Sequence, residues 1–179
     1  MLPYNQCFEH VFSSDECRRY IQWAESRGFG PAPITTGFGP RMVPEVRDNT
    51  RVMVDDVSAA AELHERLAER LPDARARWRR VGLNERLRFY RYRSGQAFRW
   101  HRDGAYVRSV DERSALTLLL YLNDDFAGGS TDLDLGTRVL SVRPRAGMVL
   151  VFEHDIRHQG APVTEGTKYV LRTDVMYRR

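Results

Sequence analysis

Two stretches in the N-terminal half carry apolar residues at helical spacing. In residues 12–28, Ser13 and Glu16 have the spacing of a capping box, and Gly28 follows as a stop signal. The apolar positions between them fall at i, i+3, i+4 and i+7: Cys17, Tyr20, Ile21 and Ala24. This pattern predicts an amphipathic helix that packs its apolar side on another element.

The second helical pattern lies in residues 57–73. Ser58 is the predicted N-cap and Pro72 the predicted end of this helix. Its apolar side consists of Ala60, Leu63, Leu67 and Leu71. Between the two helices, residues 28–50 contain repeated Gly and Pro without a steady period, which predicts a long irregular loop. Loops of this length in a compact domain are usually functional or mobile.

From residue 85 onwards the pattern changes to short β-like runs separated by turn residues. The runs are LRFYRY (87–92), LTLLLYLN (116–123), STDLDL (130–135), RVLSV (138–142), GMVLVFE (147–153) and KYVLRTDVMY (168–177). No helical pattern separates them, which argues against a doubly wound parallel sheet. Many short strands after two helices predict a mainly β fold, a sandwich or jelly roll with the helices packed on one sheet.

The chain of 179 residues, 42% hydrophobic and 29% charged, has the composition of one soluble globular domain. Its net charge of +4 is spread along the sequence and gives only a weak indication of an anionic partner. Cys7 and Cys17 are too few for a disulfide framework. No stretch has the length of a spanning helix or the pattern of a signal peptide, so we expect a cytoplasmic protein without a membrane partner.

The segment FRWHRDGAY (residues 98–106) places a histidine and a carboxylate two positions apart. On an extended strand His101 and Asp103 point to the same side, so both can bind one metal ion. Taken alone, the pair more often has a structural role, as an exposed histidine and a turn-forming aspartate before Gly104. A metal site therefore requires a third ligand from elsewhere in the chain.

The other histidines are His10, His64, His154 and His158. The first two are expected on the surface. The segment HDIRH (154–158) superficially resembles the helical zinc motif H-E-x-x-H, but a strand-like run precedes it and Gly160 and Pro162 follow it. His154 is then a strand-end residue. His158 completes a set of two histidines and one carboxylate, which binds iron and leaves three coordination positions open.

Basic residues also mark the last predicted strand. Of the 28 basic residues, all but Lys168 are arginine. Lys168, Val170 and Arg172 face the same way on an extended strand. Cations close to His158 indicate a small anion as a ligand.

Taken together, these elements resemble the iron- and 2-oxoglutarate-dependent dioxygenases, in particular the prolyl 4-hydroxylase catalytic domain. The resemblance covers residues 85–177 and rests on five segments in order: FYRYRSGQAFRWHRD, TLLLYLND, GGST, RPRAGMVLVFEH and HQGAPVTEGTKY. It implies a double-stranded β-helix (jelly roll) in one domain, 1–179, with 1–84 as helical support and mobile loop and 85–179 as catalytic core. It also implies Fe(II), 2-oxoglutarate as cosubstrate and O2, with ascorbate as a supporting reductant.

The same resemblance implies roles for individual residues. The three iron ligands are matched by His101, Asp103 and His158. Lys168 matches the basic residue that pairs with the distal carboxylate of 2-oxoglutarate, and Tyr92 matches a tyrosine that hydrogen-bonds to the same group. Arg172, one β-period beyond Lys168, is the second candidate for the pairing role.

The chain departs from the usual family pattern at two places. Residues 128–131 read Gly-Gly-Ser-Thr where related domains often have Gly-Gly-Glu-Thr. Asp174 takes an inward-facing place that is often apolar or aromatic, which predicts a polar substrate pocket. Asp103 is retained, and this favours hydroxylation over halogenation, because halogenating relatives carry a small residue there.

Substrate contacts are less specific. Arg47, Asn49 and Arg51 alternate in PEVRDNTRV (44–52), so on an extended segment they line one side as candidates for substrate contacts. A solvated loop edge is an equally good interpretation. The resemblance favours hydroxylation of an unactivated C–H bond in a peptidyl residue or an amino-acid-like substrate.

Two other functions remain open at this point. One is a dioxygenase acting on a free amino acid or secondary metabolite. The other is a non-enzymatic jelly-roll binding module whose aromatic residues belong to its core and rim: Tyr92, Phe98, Trp100 and Tyr106. No nucleic-acid partner is expected, because LRTDVMYRR (171–179) lacks the arginine pattern of the repair dioxygenases.

Overall fold

The computed structural model describes residues 3–36 and 39–179. Its helices are α1 (Ser14–Arg27) and α2 (Val57–Leu67), and no helix in the described part is long and apolar enough to cross a membrane. The strands of the described residues are, in chain order, β1 (Asn5–Phe8), β2 (Gly30–Pro31), β3 (Ile34–Thr36), β4 (Gly39–Arg41), β5 (Thr50–Asp55), β6 (Ala74–Arg75), β7 (Trp78–Leu83), β8 (Arg86–Arg93), β9 (Phe98–His101), β10 (Val107–Ser109), β11 (Glu112–Tyr121), β12 (Ala127–Gly128), β13 (Thr131–Asp134), β14 (Val139–Val142), β15 (Val149–Glu153), β16 (Arg157–Gly160), β17 (Val163–Glu165) and β18 (Thr167–Arg178).

Helix α1 forms as its capping pattern predicts. Oγ of Ser13 accepts a hydrogen bond from the Glu16 backbone N–H, and the Glu16 carboxylate accepts one from the Ser13 backbone N–H at 2.8 Å. At the other end, Gly28 has a φ of +78°, a conformation that favours glycine. Cys17 and Ala24 are buried, so the predicted apolar side of the helix is confirmed.

Helix α2 begins and ends at other residues than predicted. Its N-cap is Asp56, whose Oδ1 accepts from the Ala59 N–H at 2.8 Å, so the prediction of Ser58 was wrong. Asp caps a helix as well as Ser does, and it stands two residues earlier. The helix ends at Leu67 and not at Pro72. The predicted apolar side is nevertheless buried: Ala60, Leu63, Leu67 and Leu71.

The corrected N-cap leads to a stability prediction. Asp56→Ala removes the acceptor for the first turn and is expected to lower the free energy of unfolding by about 1 kcal/mol. Ser58→Ala, at an exposed helical position, is the matched control and is expected to change it by less than about 0.5 kcal/mol. Urea denaturation of both variants checks this. Equal losses in the two variants would show that Asp56 does not cap the helix.

The larger sheet carries the helices on one face. Among the described residues it has ten strands, in the order β1-β15-β11-β18-β8-β5-β2, with β6, β7 and β10 at its margins. Side chains alternate along β11 because successive residues of a strand point to opposite faces. Leu116, Leu118 and Leu120 share one core cluster with residues of both helices, among them Cys17 and Leu63.

The smaller sheet faces the other side of the larger one. Its order is β14-β13-β16-β9. A second core cluster lies between the sheets: Tyr121, Leu133, Val142, Met148, Leu150, Phe152, Ile156 and Val170. Two packed antiparallel sheets, with the helices on the outer face of one, confirm the predicted mainly β jelly-roll fold.

Residues 1–84 supply strands as well as helices. Strand β1 pairs with β15 and strand β5 pairs with β8, both antiparallel and within the larger sheet. Within the predicted loop of residues 28–50, strands β2, β3 and β4 are present, and residues 37 and 38 lie outside the described residues. The N-terminal part of the chain therefore completes the larger sheet.

Candidate metal centre and its two cavities

Three candidate ligands meet at the end of the smaller sheet. His101 is the last residue of β9, Asp103 follows two positions later, and His158 lies opposite His101 in the β9–β16 pairing. The ligand atoms of the three side chains all lie within 4.8 Å of one another. Nε2 of His158 is 3.5 Å from Asp103 Oδ2, and Nε2 of His101 is 3.9 Å from Asp103 Oδ1. The strand pairing thus brings together residues that are distant in the chain.

Both histidines present the same nitrogen to this cluster. Nδ1 of His101 is 2.7 Å from the Arg99 carbonyl oxygen, and Nδ1 of His158 is 2.9 Å from that of Ile156. Since a carbonyl only accepts, Nδ1 carries the proton in each ring and Nε2 keeps a free lone pair. Burial lowers the pKa of both residues, and with repulsion from His158 the pKa of His101 falls to about 4. Both rings are therefore neutral near pH 7, as metal ligation requires.

Asp103 is held as a carboxylate. Burial alone would raise its pKa, but Arg172 and the two histidines bring it well below the usual range. The Arg172 guanidinium lies 3.2 Å from Asp103 Oδ2, and the Thr117 hydroxyl donates to the same oxygen at 2.6 Å. These two contacts fix the orientation of the carboxylate.

His154 belongs to a hydrogen-bond chain behind Asp103. Nδ1 of His154 is 2.8 Å from Thr117 Oγ1, and its Nε2 is 2.8 Å from Ser114 Oγ. Because Thr117 donates to Asp103, the chain runs consistently from Ser114 through a neutral His154 to Thr117. His154 directly follows β15, and β16 begins at Arg157, so the strand-end prediction is confirmed and the helical zinc motif does not form.

The donor set fits a ferrous ion. Two neutral imidazole nitrogens and one ionised carboxylate oxygen converge from one side, and this set is typical of non-haem iron sites that keep positions open for cosubstrate and O2. Each of the three ligands also makes a hydrogen bond to a neighbouring residue, and these bonds orient the ligands before metal binding.

A narrow cavity leads from the triad to Lys168, which is 3% exposed. Its Nζ donates to the Gly129 carbonyl at 2.6 Å and lies over the rings of Tyr92 and Tyr121 at 5.4 and 5.5 Å. No carboxylate of the described residues lies within 4.0 Å of it. Burial lowers its pKa to about 7. A buried ammonium without a counter-ion is well suited to bind an anion.

The Gly128–Gly129 turn shapes the wall next to Lys168. Both residues have positive φ, +71° and +64°. A Cβ on Gly128 would lie 2.5 Å from the Pro162 carbonyl oxygen, and one on Gly129 would lie 3.2 Å from Cδ of Lys168. The turn therefore needs glycine at both positions to present a carbonyl to the ammonium. Ser130, in the place of the usual Glu, donates to Asp132 at 2.9 Å.

Arg172 lies at the triad, and its charge is already matched. Besides Asp103, its Nη2 contacts Oδ1 of Asp174 at 3.1 Å. Asp174 is 1% exposed and also pairs with Arg88 at 3.1 Å. Asp174 is thus an inward-facing polar residue as expected, but it is buried between two arginines and lines neither cavity, so its carboxylate does not itself make the pocket polar.

A wider cavity of about 560 Å³ opens on the other side of the triad. Five residues line both cavities: Tyr90, Phe98, His101, Asp103 and Arg172. Arg47 and Arg51 line the wider one, as do Pro33, Ile34 and Val46 of the N-terminal part. Asn49 does not: it is buried and accepts a hydrogen bond from Nε of Arg47 at 2.8 Å. Two of the three predicted substrate-contact residues therefore face this space.

Several site residues were not predicted from the sequence: Thr117, Ser114, Arg88, Tyr90 and also Thr131, which lines the narrow cavity. Tyr90 shows the positive field of the wider cavity, because Arg47, Arg172 and Arg88 lower its pKa to about 8 although burial alone would raise it. Of these, Thr117 could have been predicted from the sequence, because it is a hydroxyl residue on the inward side of an otherwise leucine-rich strand.

The chain is similar to known oxygenases. Residues 87–173 match the 2OG-Fe(II) oxygenase superfamily. A PKHD-type hydroxylase of Acaryochloris marina is 24% identical over 166 residues, which cover 90% of this chain and 73% of that protein. A prolyl-4-hydroxylase structure from Pseudomonas putida has a TM-score of 0.73 at 19% identity, covering 99% of this chain and 94% of the other. A prolyl hydroxylase from Trichoplax adhaerens, in complex with a hypoxia inducible factor peptide fragment, has a TM-score of 0.72 at 16% identity, covering 96% and 82%.

Proposed function

Because the chain is an iron- and 2-oxoglutarate-dependent dioxygenase of the prolyl hydroxylase type, we propose that it hydroxylates an unactivated C–H bond of a peptidyl residue or an amino-acid-like substrate. One oxygen atom of O2 enters the substrate and the other enters succinate, which forms with CO2 from 2-oxoglutarate. Iron with bound cosubstrate supplies this oxidation. The observation that carries the proposal is the triad at the junction of two cavities, one of which ends at a buried ammonium.

The iron would be held by Nε2 of His101, the carboxylate of Asp103 and Nε2 of His158. Thr117 and Arg172 orient Asp103 and keep it ionised. With a carboxylate present at this position, hydroxylation is favoured over halogenation.

The narrow cavity, about 40 Å³ in volume, would hold the distal end of 2-oxoglutarate. Lys168 supplies the charge for the distal carboxylate, and Tyr92 supplies a hydroxyl donor. Tyr92 remains protonated because burial raises its pKa well above the usual range. Arg172 is less suited to this pairing role, since two carboxylates already contact it.

The wider cavity would hold the substrate, with Arg47 and Arg51 in its wall. Since residues of the N-terminal part line it, we include 1–84 with 85–179 in one functional domain, 1–179. A peptidyl substrate is supported by the peptide complex of the Trichoplax relative. A free amino acid or other metabolite is supported by the polar, arginine-rich lining. The family match does not support a non-enzymatic binding module.

The proposed function is tested by a substrate screen. The protein is incubated with Fe(II), 2-oxoglutarate, ascorbate and O2 together with peptides, amino acids or other metabolites, and succinate is measured alongside a mass gain of one oxygen atom. We expect succinate formation that depends on iron and an oxygenated product from one substrate class. Absence of iron-dependent succinate, even from uncoupled turnover, would contradict the proposal.

The buried ammonium predicts a pH dependence for the cosubstrate. Protonated Lys168 binds the anion, and its pKa of about 7 means that it loses its proton above neutral pH. The KM for 2-oxoglutarate is therefore expected to stay constant below about pH 7 and to rise by up to about tenfold per pH unit above it. Succinate formation measured between about pH 6 and about pH 9 checks this.

Lys168→Arg is the matched control for this profile, because an arginine stays protonated throughout the range. Its KM for 2-oxoglutarate is expected to be nearly independent of pH, while the iron ligands are unchanged. A KM that does not vary with pH in the unmodified protein would contradict the assignment of Lys168.

A further inference from the structure

Arg47 has the surroundings of a ligand-binding side chain. It is 4% exposed, and its guanidinium carbon lies 4.4 Å from the ring centre of Tyr90 and 4.3 Å from that of Phe98. Its Nε donates to Oδ1 of Asn49, which fixes the plane of the group. Its Nη2 is buried and has no hydrogen-bond partner among the described residues. A buried N–H of this kind is costly unless a ligand accepts from it.

The wider cavity has an excess of positive charge. Its charged lining, apart from histidine, consists of Arg47, Arg51, Arg88, Arg102, Arg172 and Asp103. Arg88 and Arg172 are matched by two carboxylates, because Asp174 pairs with both arginines and Asp103 pairs with Arg172. Neither Arg47 nor Arg51 has a carboxylate within 4.0 Å in the described part of the chain. Three guanidinium groups of the described lining therefore lack a carboxylate partner. That of Arg102 is exposed and donates to the Asp155 carbonyl, whereas those of Arg47 and Arg51 are more buried.

The guanidinium groups of Arg47 and Arg51 are neighbours of the triad. Phe98 contacts Arg47 and also stacks on the ring of His101, with 3.5 Å between the ring centres. Arg51 lies opposite Tyr90 in the pairing of β5 with β8. A small molecule bound to Arg47 can therefore extend along Phe98 to the triad within one cavity.

We propose that the substrate carries a carboxylate that binds the guanidinium of Arg47, with Arg51 beside it, while a C–H bond of the same molecule faces the triad. This inference rests on the proposed hydroxylase function and names its substrate class. A planar guanidinium binds a carboxylate through paired, charge-assisted hydrogen bonds. The carboxylate belongs to a small acid or to the C-terminus of a peptide. A neutral residue inside a peptide brings no such group to the cavity.

The test measures binding without turnover. The full chain is loaded with Fe(II) and saturating 2-oxoglutarate under argon, so that cosubstrate already occupies the site of Lys168. Titration calorimetry then compares N-acetyl amino acids, free amino acids and dipeptides, each beside its C-terminal amide. At least one acid is expected to bind about tenfold more tightly than its amide, or better. Whether a single amino acid or a dipeptide binds more tightly distinguishes the two sources of the carboxylate.

Three variants test which arginine causes the preference for an acid over its amide. Arg47→Gln is expected to abolish the difference between acid and amide, and Arg51→Gln to reduce it. Arg77→Gln is the control, because Arg77 is exposed and lines neither cavity. Unchanged affinity for 2-oxoglutarate shows that a variant is folded, and if Arg47→Gln loses that affinity, the comparison is decided by Arg51→Gln.

Two results would overturn the inference. One is equal binding of acids and amides by the unmodified protein. The other is an equal loss for acid and amide in the folded arginine variants. Failure of the unmodified protein to bind 2-oxoglutarate with iron, or to form succinate in air, would instead contradict the proposed function, so the two failures are distinguishable.

Discussion

Replacing His158 by Ala is expected to abolish iron binding, whereas replacing His154 by Ala leaves most of it. His158 presents a free Nε2 to the triad, while His154 uses both ring nitrogens in hydrogen bonds to Ser114 and Thr117. Loss of a ligand is expected to weaken Fe(II) binding by more than about 100-fold, and loss of a supporting residue by about tenfold. Anaerobic Fe(II) titration of the two variants measures the difference.

The two variants form a matched pair, because both histidines are buried and close in the chain, His154 just after β15 and His158 within β16. Thermal unfolding without metal serves as the control for folding. If His154→Ala lost iron as completely as His158→Ala, the triad would include the wrong histidine. A selective effect of His154→Ala on the tenfold scale would support its place behind Asp103.

Lys168→Ala is expected to raise the KM for 2-oxoglutarate by roughly 100-fold or more, far beyond the effect of Arg172→Ala. Removing one partner of a buried ion pair costs about 3–5 kcal/mol, because the other charge is left without compensation. Arg172 instead contacts Asp103 and Asp174, so its removal is expected to act mainly on iron binding. Steady-state succinate formation at saturating iron gives the KM of each variant.

Lys168→Met keeps most of the length of the side chain without its charge and serves as the control for packing around Tyr92 and Tyr121. It is expected to behave like Lys168→Ala toward 2-oxoglutarate. Equal KM values for Lys168→Ala and Arg172→Ala would mean that the two cations share the distal carboxylate.

The strands predicted from the sequence were apolar runs bounded by turn residues. In β11, Leu116, Leu118 and Leu120 belong to the core cluster shared with the helices, Thr117 lies on the opposite face, and the run is recognised from its own residues alone. The same holds for α1, whose Ser13–Glu16 capping box is local. In such features the local backbone preference and the burial of apolar side chains favour the same element. Each can therefore be predicted from its own segment of sequence.

Strands β9 and β16 could not be predicted in this way. Their sequences, FRWH and RHQG, are short and mostly polar, and they become strands only by pairing with each other and with β13. The register that places His158 opposite His101 depends on long-range packing. Local spacing therefore predicts only the pair His101 and Asp103. The third ligand, His158, is predicted from its residue type and from the family resemblance.

The predicted substrate-contact residues of the N-terminal part show a second limit of prediction from local sequence. The alternation of Arg47, Asn49 and Arg51 assumed an extended segment, but β5 begins only at Thr50. Asn49 consequently lies behind Arg47 and orients it, instead of facing the cavity. The stacking of Arg47 on Tyr90 and Phe98 involves three separate segments, and no local pattern indicates it.

The position of β9 at the end of the smaller sheet would give a bound metal a mechanical role. An ion held by His101 and His158 would cross-link the outermost strand to its inner neighbour. That strand also carries Phe98, which forms part of the wall shared by both cavities. Metal occupancy is therefore expected to stiffen that wall, and we expect the wall to be more mobile in an iron-free molecule.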